Sequence, residues 1–256
     1  MADYDIIGSI AIIKSEGKTK AQKLKQAKIL LEKSSILTVL EKSSNIKGRL
    51  RTFKTKYIAG EKTKVTTYRE NDCSFKLNVE TCYFSPRLGN DRKIIASKIR
   101  KKDEVLVMFS GISAYPIVIY KIKKPEHITA IEISKECNKY AKINKQLNKI
   151  PEDKLDIIQG DVKKQIPKLK KKFDVIMMAR PNLKTTFLEQ ALKVSKKGTR
   201  IIYHGFCHVD KLKDLKQELL DEAKELKRKI KIIKTDKAGD IAPFKYRWRI
   251  EIKVLN

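Results

Sequence analysis

Three positions in the second half of the chain have the order and spacing of a nucleotide-binding edge. The run Val107-Met108-Phe109-Ser110-Gly111-Ile112-Ser113-Ala114-Tyr115 places a glycine directly after an apolar stretch. A bare backbone there lets a ligand come close, with the amino terminus of the next helix behind it. Glu132 stands about twenty residues further on, closing the next apolar run, where a carboxylate accepts hydrogen bonds from ribose hydroxyls. Asp161, in Gln159-Gly160-Asp161, closes a third run and can reach an adenine amino group. The plainer role of Glu132 and Asp161 is to cap the helices that follow. It is the order of all three that points to a nucleoside cofactor.

Other reactive side chains form no comparable pattern. His204, Cys207 and His208 lie close together but lack third and fourth ligands, so no metal is expected. Cys73, Cys82, Cys137 and Cys207 are widely spaced, which fits a reduced protein without disulfides or structural zinc. The segment Lys163 to Lys172 carries lysines that its neighbours hardly neutralise and is a candidate for phosphate contact.

The elements needed to position these residues can be read from periodicity. Short apolar runs at 105–109, 128–133, 155–158, 173–178 and 199–203 have the character of buried strands. Helical stretches at 115–122, 135–147, 183–194 and 209–227 alternate with them, and 230–233 and 246–254 supply two closing strands. This predicts a mostly parallel doubly wound α/β sheet over residues 89–256, with ligands at the carboxyl ends of its strands. Residues 1–88 predict a small α+β domain: a strand over 5–13, a helix over 19–31, a strand over 36–40, a basic loop at Lys47-Gly48-Arg49-Leu50-Arg51, and a hairpin around Glu70-Asn71-Asp72.

Composition narrows the class of partner. The 256 residues include 59 Lys+Arg against 30 Asp+Glu, a net charge of +29, while 41% hydrophobic content is enough for a real core. The excess is spread along the chain, +9 over residues 1–90 and +20 beyond, so it is no basic tail. Such a charge favours a polyanion, and nucleic acid is the commonest; the plainer reading is a solvated lysine-rich surface. The amino terminus shows no basic-then-apolar signal pattern. The most apolar stretch, 105–120, is broken by Ser110, Gly111, Ser113 and Pro116, so a cytoplasmic protein without a membrane span is expected.

Several segments resemble the archaeal and eukaryotic tRNA (guanine(37)-N(1))-methyltransferases and their wybutosine-pathway relatives, which transfer an aminocarboxypropyl group. These are Tyr83-Phe84-Ser85-Pro86-Arg87-Leu88 followed by Asp91-Arg92, the opening Tyr4-Asp5-Ile6-Ile7-Gly8-Ser9-Ile10-Ala11, and Arg51-Thr52 ahead of Ala59-Gly60. Met108-Phe109-Ser110-Gly111 is similar to the family's cofactor loop, and Ala242-Pro243 to its closing motif. The Ser-Pro-Arg-Leu segment marks the methyltransferase branch.

The resemblance implies a Rossmann-like class I S-adenosylmethionine-dependent methyltransferase domain behind a small RNA-positioning domain. It also implies methylation of N1 of guanosine 37 in the tRNA anticodon loop by a monomeric enzyme that lacks the family's separate elbow-binding domain. Tyr83, Arg87, Phe109, Ile133 and Pro181 join Gly111, Glu132 and Asp161 as its cofactor-binding set. Guanine N1 must lose a proton while charge develops on the neighbouring carbonyl oxygen. By the family's motif, Asp91 takes the place of the base and Arg51 that of the oxygen-stabilising arginine. The plainer roles are a helix cap for Asp91 and phosphate contact for Arg51. Tyr115 and Phe109 are the aromatic candidates to receive an extruded base, core packing being the plainer role of Phe109. Arg180, Lys163, Lys164, Lys171 and Lys172 are the further substrate contacts.

Departures from the family are Val107 for Asp, Ser113 for Gly, Asp91 for Glu, and Ala179-Arg180-Pro181 for Asn-Leu-Pro. They keep two alternatives open: a wybutosine-pathway transferase, and a tRNA-binding protein that has lost catalysis.

Overall fold

The computed structural model describes residues 4–14, 17–44 and 48–256; Lys47 of the basic loop lies outside them. The chain forms two compact units, Met1–Pro86 and Arg87–Asn256.

In the first unit the apolar run 5–13 is two strands, β1 (Tyr4–Ile7) and β2 (Ile10–Ile13), paired antiparallel. The expected single strand is broken because Gly8 turns at φ 56. A side chain there would collide with Thr66 and Thr67, and the Ser9 amide donates to Thr66 Oγ1 at 2.9 Å. Helix α1 (Lys20–Leu31) starts at a capping box in which Thr19 and Gln22 satisfy each other's amides. It buries Ala27 and Leu30 against Ala11, Ile13, Ile36 and Val39. This crossover lets β3 (Thr38–Lys42) run parallel to β2, and β4 (Thr55–Gly60) pairs antiparallel with β3. The hairpin β5 (Val65–Glu70) and β6 (Cys73–Asn78) closes through Asn71 and Asp72, both left-handed, as a two-residue turn requires.

The second unit begins with α2 (Gly89–Ser97) and then alternates β7 (Glu104–Met108), α3 (Ala114–Lys123), β8 (His127–Glu132), α4 (Lys135–Leu147), β9 (Leu155–Gln159), α5 (Val162–Gln165) and β10 (Phe173–Met178). It continues with α6 (Leu188–Lys193), β11 (Ser195–His208), α7 (Leu212–Glu225), β12 (Ile230–Ala242) and β13 (Lys245–Val254). The seven strands lie in the order β12-β13-β11-β10-β7-β8-β9. All are parallel from β11 to β9, and β13 and β12 close the sheet antiparallel. Val105–Met108 and Val175–Met178 are buried throughout, as strands covered on both faces must be. Chain order reverses between β7 and β10, so the crevice for a ligand opens at their carboxyl ends.

Helix α6 is shorter than the expected 183–194. The Arg180 guanidinium takes the carbonyls of Leu183 and Thr185 at 2.5 and 2.6 Å, acceptors that a helix would use for itself.

Candidate active site

The turn from β7 into α3 is built from three left-handed residues, Phe109, Gly111 and Ser113, at φ 63, 57 and 62. It brings the Gly111 amide onto Glu132 Oε2 at 2.8 Å, while Glu132 Oε1 accepts from the Ser134 amide at 2.8 Å. One carboxylate at the end of β8 thus braces two turns. The Gly160 amide donates to the Glu132 carbonyl at 2.8 Å, which ties in the end of β9. Asp161 caps α5, accepting from the Lys163 amide at 2.9 Å; the cap and the strand-end position are the same residue. Phe109, half-buried, meets Phe187 edge-on at 4.9 Å, and Pro181 follows the end of β10. Phe109, Gly111, Glu132, Ile133, Asp161 and Pro181 therefore gather at one edge of the sheet.

Two residues that support this edge gave no motif in the sequence. Asn144 Nδ2 donates to the Ile112 carbonyl at 3.2 Å, and Asn138 Nδ2 to the carbonyls of Glu132 and Ser134 at 2.8 and 2.7 Å. Their signal was amide side chains on the face of α4 that buries Cys137, Tyr140 and Ala141.

Asp91, which takes the place of the family's base, is 3% exposed. Its Oδ1 accepts from Arg249 Nη1 at 2.6 Å, and its Oδ2 from the Tyr115 hydroxyl at 2.7 Å and from His204 Nε2 at 3.0 Å. Arg249 Nη2 continues to Asp236 at 2.8 Å. Burial opposes the charge on Asp91, but His204, Tyr115 and Arg249 outweigh it and hold the carboxyl well below the usual range. Burial also pushes His204 below its ordinary value, against the pull of Asp91. A carboxylate with three donors is a weak proton acceptor. This arrangement corrects the reading of Asp91 as a ready base and makes it an anchor of α2 on the sheet. It equally corrects Tyr115, whose buried ring is not open to a nucleobase.

Arg180 is also turned inward. It is 5% exposed, with its guanidinium 5.1 Å from the Tyr203 ring and bonded to its own loop. The lysines separate by topology. Lys163 and Lys164 are exposed at the start of α5, on the carboxyl edge. Lys171 and Lys172 precede β10 on the opposite edge, where Lys171 pairs with Glu104 at 2.8 Å and Lys172 donates to the Lys193 carbonyl at 2.5 Å. The expectation of one unneutralised patch fails because the β9–β10 connection crosses the whole sheet. In the first unit, Arg51 stacks on Tyr83 with its guanidinium 4.0 Å from the ring centroid. Arg87 is exposed on the short turn before α2.

Among the described residues no three His, Cys, Asp or Glu side chains are placed to hold a metal ion, and no helix is long and apolar enough to cross a membrane.

The TRM5/TYW2 methyltransferase domain matches residues 66–233, and the TYW2 N-terminal domain matches residues 1–63. Over 98% of its length the chain is 31% identical to the tRNA (guanine(37)-N(1))/4-demethylwyosine(37)-methyltransferase Taw22 of Nanoarchaeum equitans, covering 99% of that protein. It is also 31% identical over 98% of its length to the tRNA (guanine(37)-N(1))-methyltransferase Trm5b of Pyrococcus abyssi, covering 74% of it. The crystal structure of Pyrococcus abyssi Trm5b superposes with a TM-score of 0.85 at 29% identity, over 99% of this chain and 75% of that one. The sheet order is that of the expected Rossmann-like methyltransferase fold. The chain belongs to the TRM5/TYW2 methyltransferase family.

Proposed function

We propose that this protein transfers a methyl group from S-adenosylmethionine to N1 of guanosine 37 in tRNA, acting as a cytoplasmic monomer. The observation that carries this reading is the braced edge of Gly111, Glu132 and Asp161 at the switch point of the sheet, in a chain related over nearly its whole length to enzymes named for that reaction.

These residues fit the cofactor. The Gly111 turn offers close backbone approach, Glu132 a buried acceptor for ribose hydroxyls, and Asp161 an acceptor beside the adenine position. Bound there, S-adenosylmethionine supplies an electrophilic sulfonium methyl. Arg51, presented by its stack on Tyr83, is the donor we assign to the charge that develops on the guanine carbonyl oxygen. The N1 proton passes to solvent. Mass spectrometry of unmodified tRNA transcripts after incubation with protein and cofactor is expected to show one methyl group on N1 of guanosine 37. Cofactor binding without any product would overturn the reading.

The match of residues 1–63 to the TYW2 N-terminal domain favours the wybutosine branch as a second reading. An aminocarboxypropyl mass increment in the same assay would establish it.

The separation of the lysines gives a further test. Lys163→Ala/Lys164→Ala is expected to reduce the salt slope of tRNA binding by about 1–2, since each phosphate left unneutralised removes about 0.7–0.9 from the slope, while Lys171→Ala/Lys172→Ala leaves it unchanged. Filter binding across a salt series reads both.

A further inference from the structure

The last three strands of the sheet outgrow the others. Strand β11 continues from its last pairing with β10, Met178↔Tyr203, to His208, which pairs with Lys245 of β13. Those five residues carry the ribbon of β11, β13 and β12 roughly 16 Å beyond the carboxyl edge of the parallel strands, at about 3.3 Å per residue. The ribbon forms a wall on the edge that holds Gly111, Glu132 and Asp161.

At the tip of that wall, Phe244 is 64% exposed, more than any other large hydrophobic side chain among the described residues. Its backbone is left-handed at φ 57, its carbonyl accepts from the Val209 amide at 2.9 Å, and its ring lies 5.8 Å from that of His208. Behind it, Lys237 Nζ sits 3.9 Å from the centroid of Tyr246. The tip carries Lys245 next to Phe244, with Asp240 and the His208-paired Asp210 as nearby carboxylates. An aromatic ring exposed at a hairpin tip offers a flat face on which a nucleobase can stack. The chain's charge of +29 selects a polyanionic partner. RNA supplies both in one molecule, since unstacked bases pack on aromatic rings while their phosphates meet cations.

We propose that the hairpin tip at Phe244 is a stacking platform for an unpaired RNA base neighbouring the target guanosine, with Lys237 and Lys245 meeting the adjoining phosphates; this rests on the tRNA reading above. The platform holds the flanking strand while the target base leaves the stack for the crevice below.

The test compares Phe244→Ala and Phe244→Trp with the unaltered protein, all as full chains. Filter binding of an unmodified tRNA transcript is expected to weaken about tenfold for Phe244→Ala, in the range of one base–aromatic stack removed, and to stay within about twofold for Phe244→Trp. Calorimetry with S-adenosylmethionine should show no change for either. Alanine binding tRNA as well as the parent, tryptophan failing as badly as alanine, or an equal loss of cofactor affinity would each overturn the proposal. So would a parent that sediments as a dimer which Phe244→Ala dissociates, because the tip would then be an interface between copies. A parent that binds tRNA without methylating it sinks the proposed reaction, and the binding comparison still decides the platform.

Discussion

Replacing Arg249 with methionine is expected to lower the unfolding free energy by about 3–5 kcal/mol at pH 7, as removal of one partner of a buried ion pair does. The variant leaves Asp91 at 3% exposure without its arginine partner, held only by Tyr115 and His204. The double variant Asp91→Asn/Arg249→Met is expected to lose less than the single one, since no charge is then stranded. The pH dependence has a definite sign. The Asp91 carboxyl is depressed in the fold, so its contribution is complete above the ordinary aspartate value near 3.9 and is lost as pH falls below it. The stability gap between parent and Arg249→Met should therefore be widest above about pH 5 and narrow in acid. Urea titrations at pH 3 and pH 7 measure it. A gap that is small at pH 7, or that widens in acid, would show that Asp91 is not the anchor described.

Glu132→Ala is expected to weaken S-adenosylmethionine binding by about 10- to 100-fold, since hydrogen bonds to a charged group are worth roughly 1.5–3 kcal/mol each. The loss has two sources: the acceptor for the ribose hydroxyls goes, and the Gly111 and Ser134 amides lose the carboxylate that aligns both turns. Glu132→Gln keeps one acceptor oxygen and should fall between the two. Isothermal calorimetry reads all three proteins. Undiminished affinity in a folded Glu132→Ala protein would remove this residue from the cofactor site.

The central strands of the second unit were legible because β7, β8 and β10 are apolar runs buried on both faces, and the ends of β7 and β8, with the shorter apolar run of β9, place Gly111, Glu132 and Asp161 on one edge. The break at Gly8 was hidden, because Ile7 and Ile10 continue the apolar character straight through the turn. The Asp91 cluster was out of reach for a different reason. Its partners lie 24, 113 and 158 residues away, and nothing local in His204 or Arg249 marks them as neighbours of a carboxylate. Arg180 misled by its type, since a cation at a strand end suggests an anionic ligand, yet its guanidinium serves three carbonyls of the chain itself. The lysines misled by their proximity in sequence, which the crossing of the sheet undoes.

Phe109 and Ser113 hold left-handed backbones without being glycine, a conformation that carries about 1–2 kcal/mol of strain for an L-residue. That strain persists because the surroundings fix it: the Ser110 amide donates to the Ile131 carbonyl at 3.0 Å, the Ser113 amide to the Ser110 carbonyl at 2.9 Å, and Asn144 holds the Ile112 carbonyl. A glycine-rich turn of the same shape would sample many conformations before a ligand arrived and would lose that freedom on binding. Here the ordering has been done during folding, so the cofactor enters a preformed socket and gives up little loop entropy.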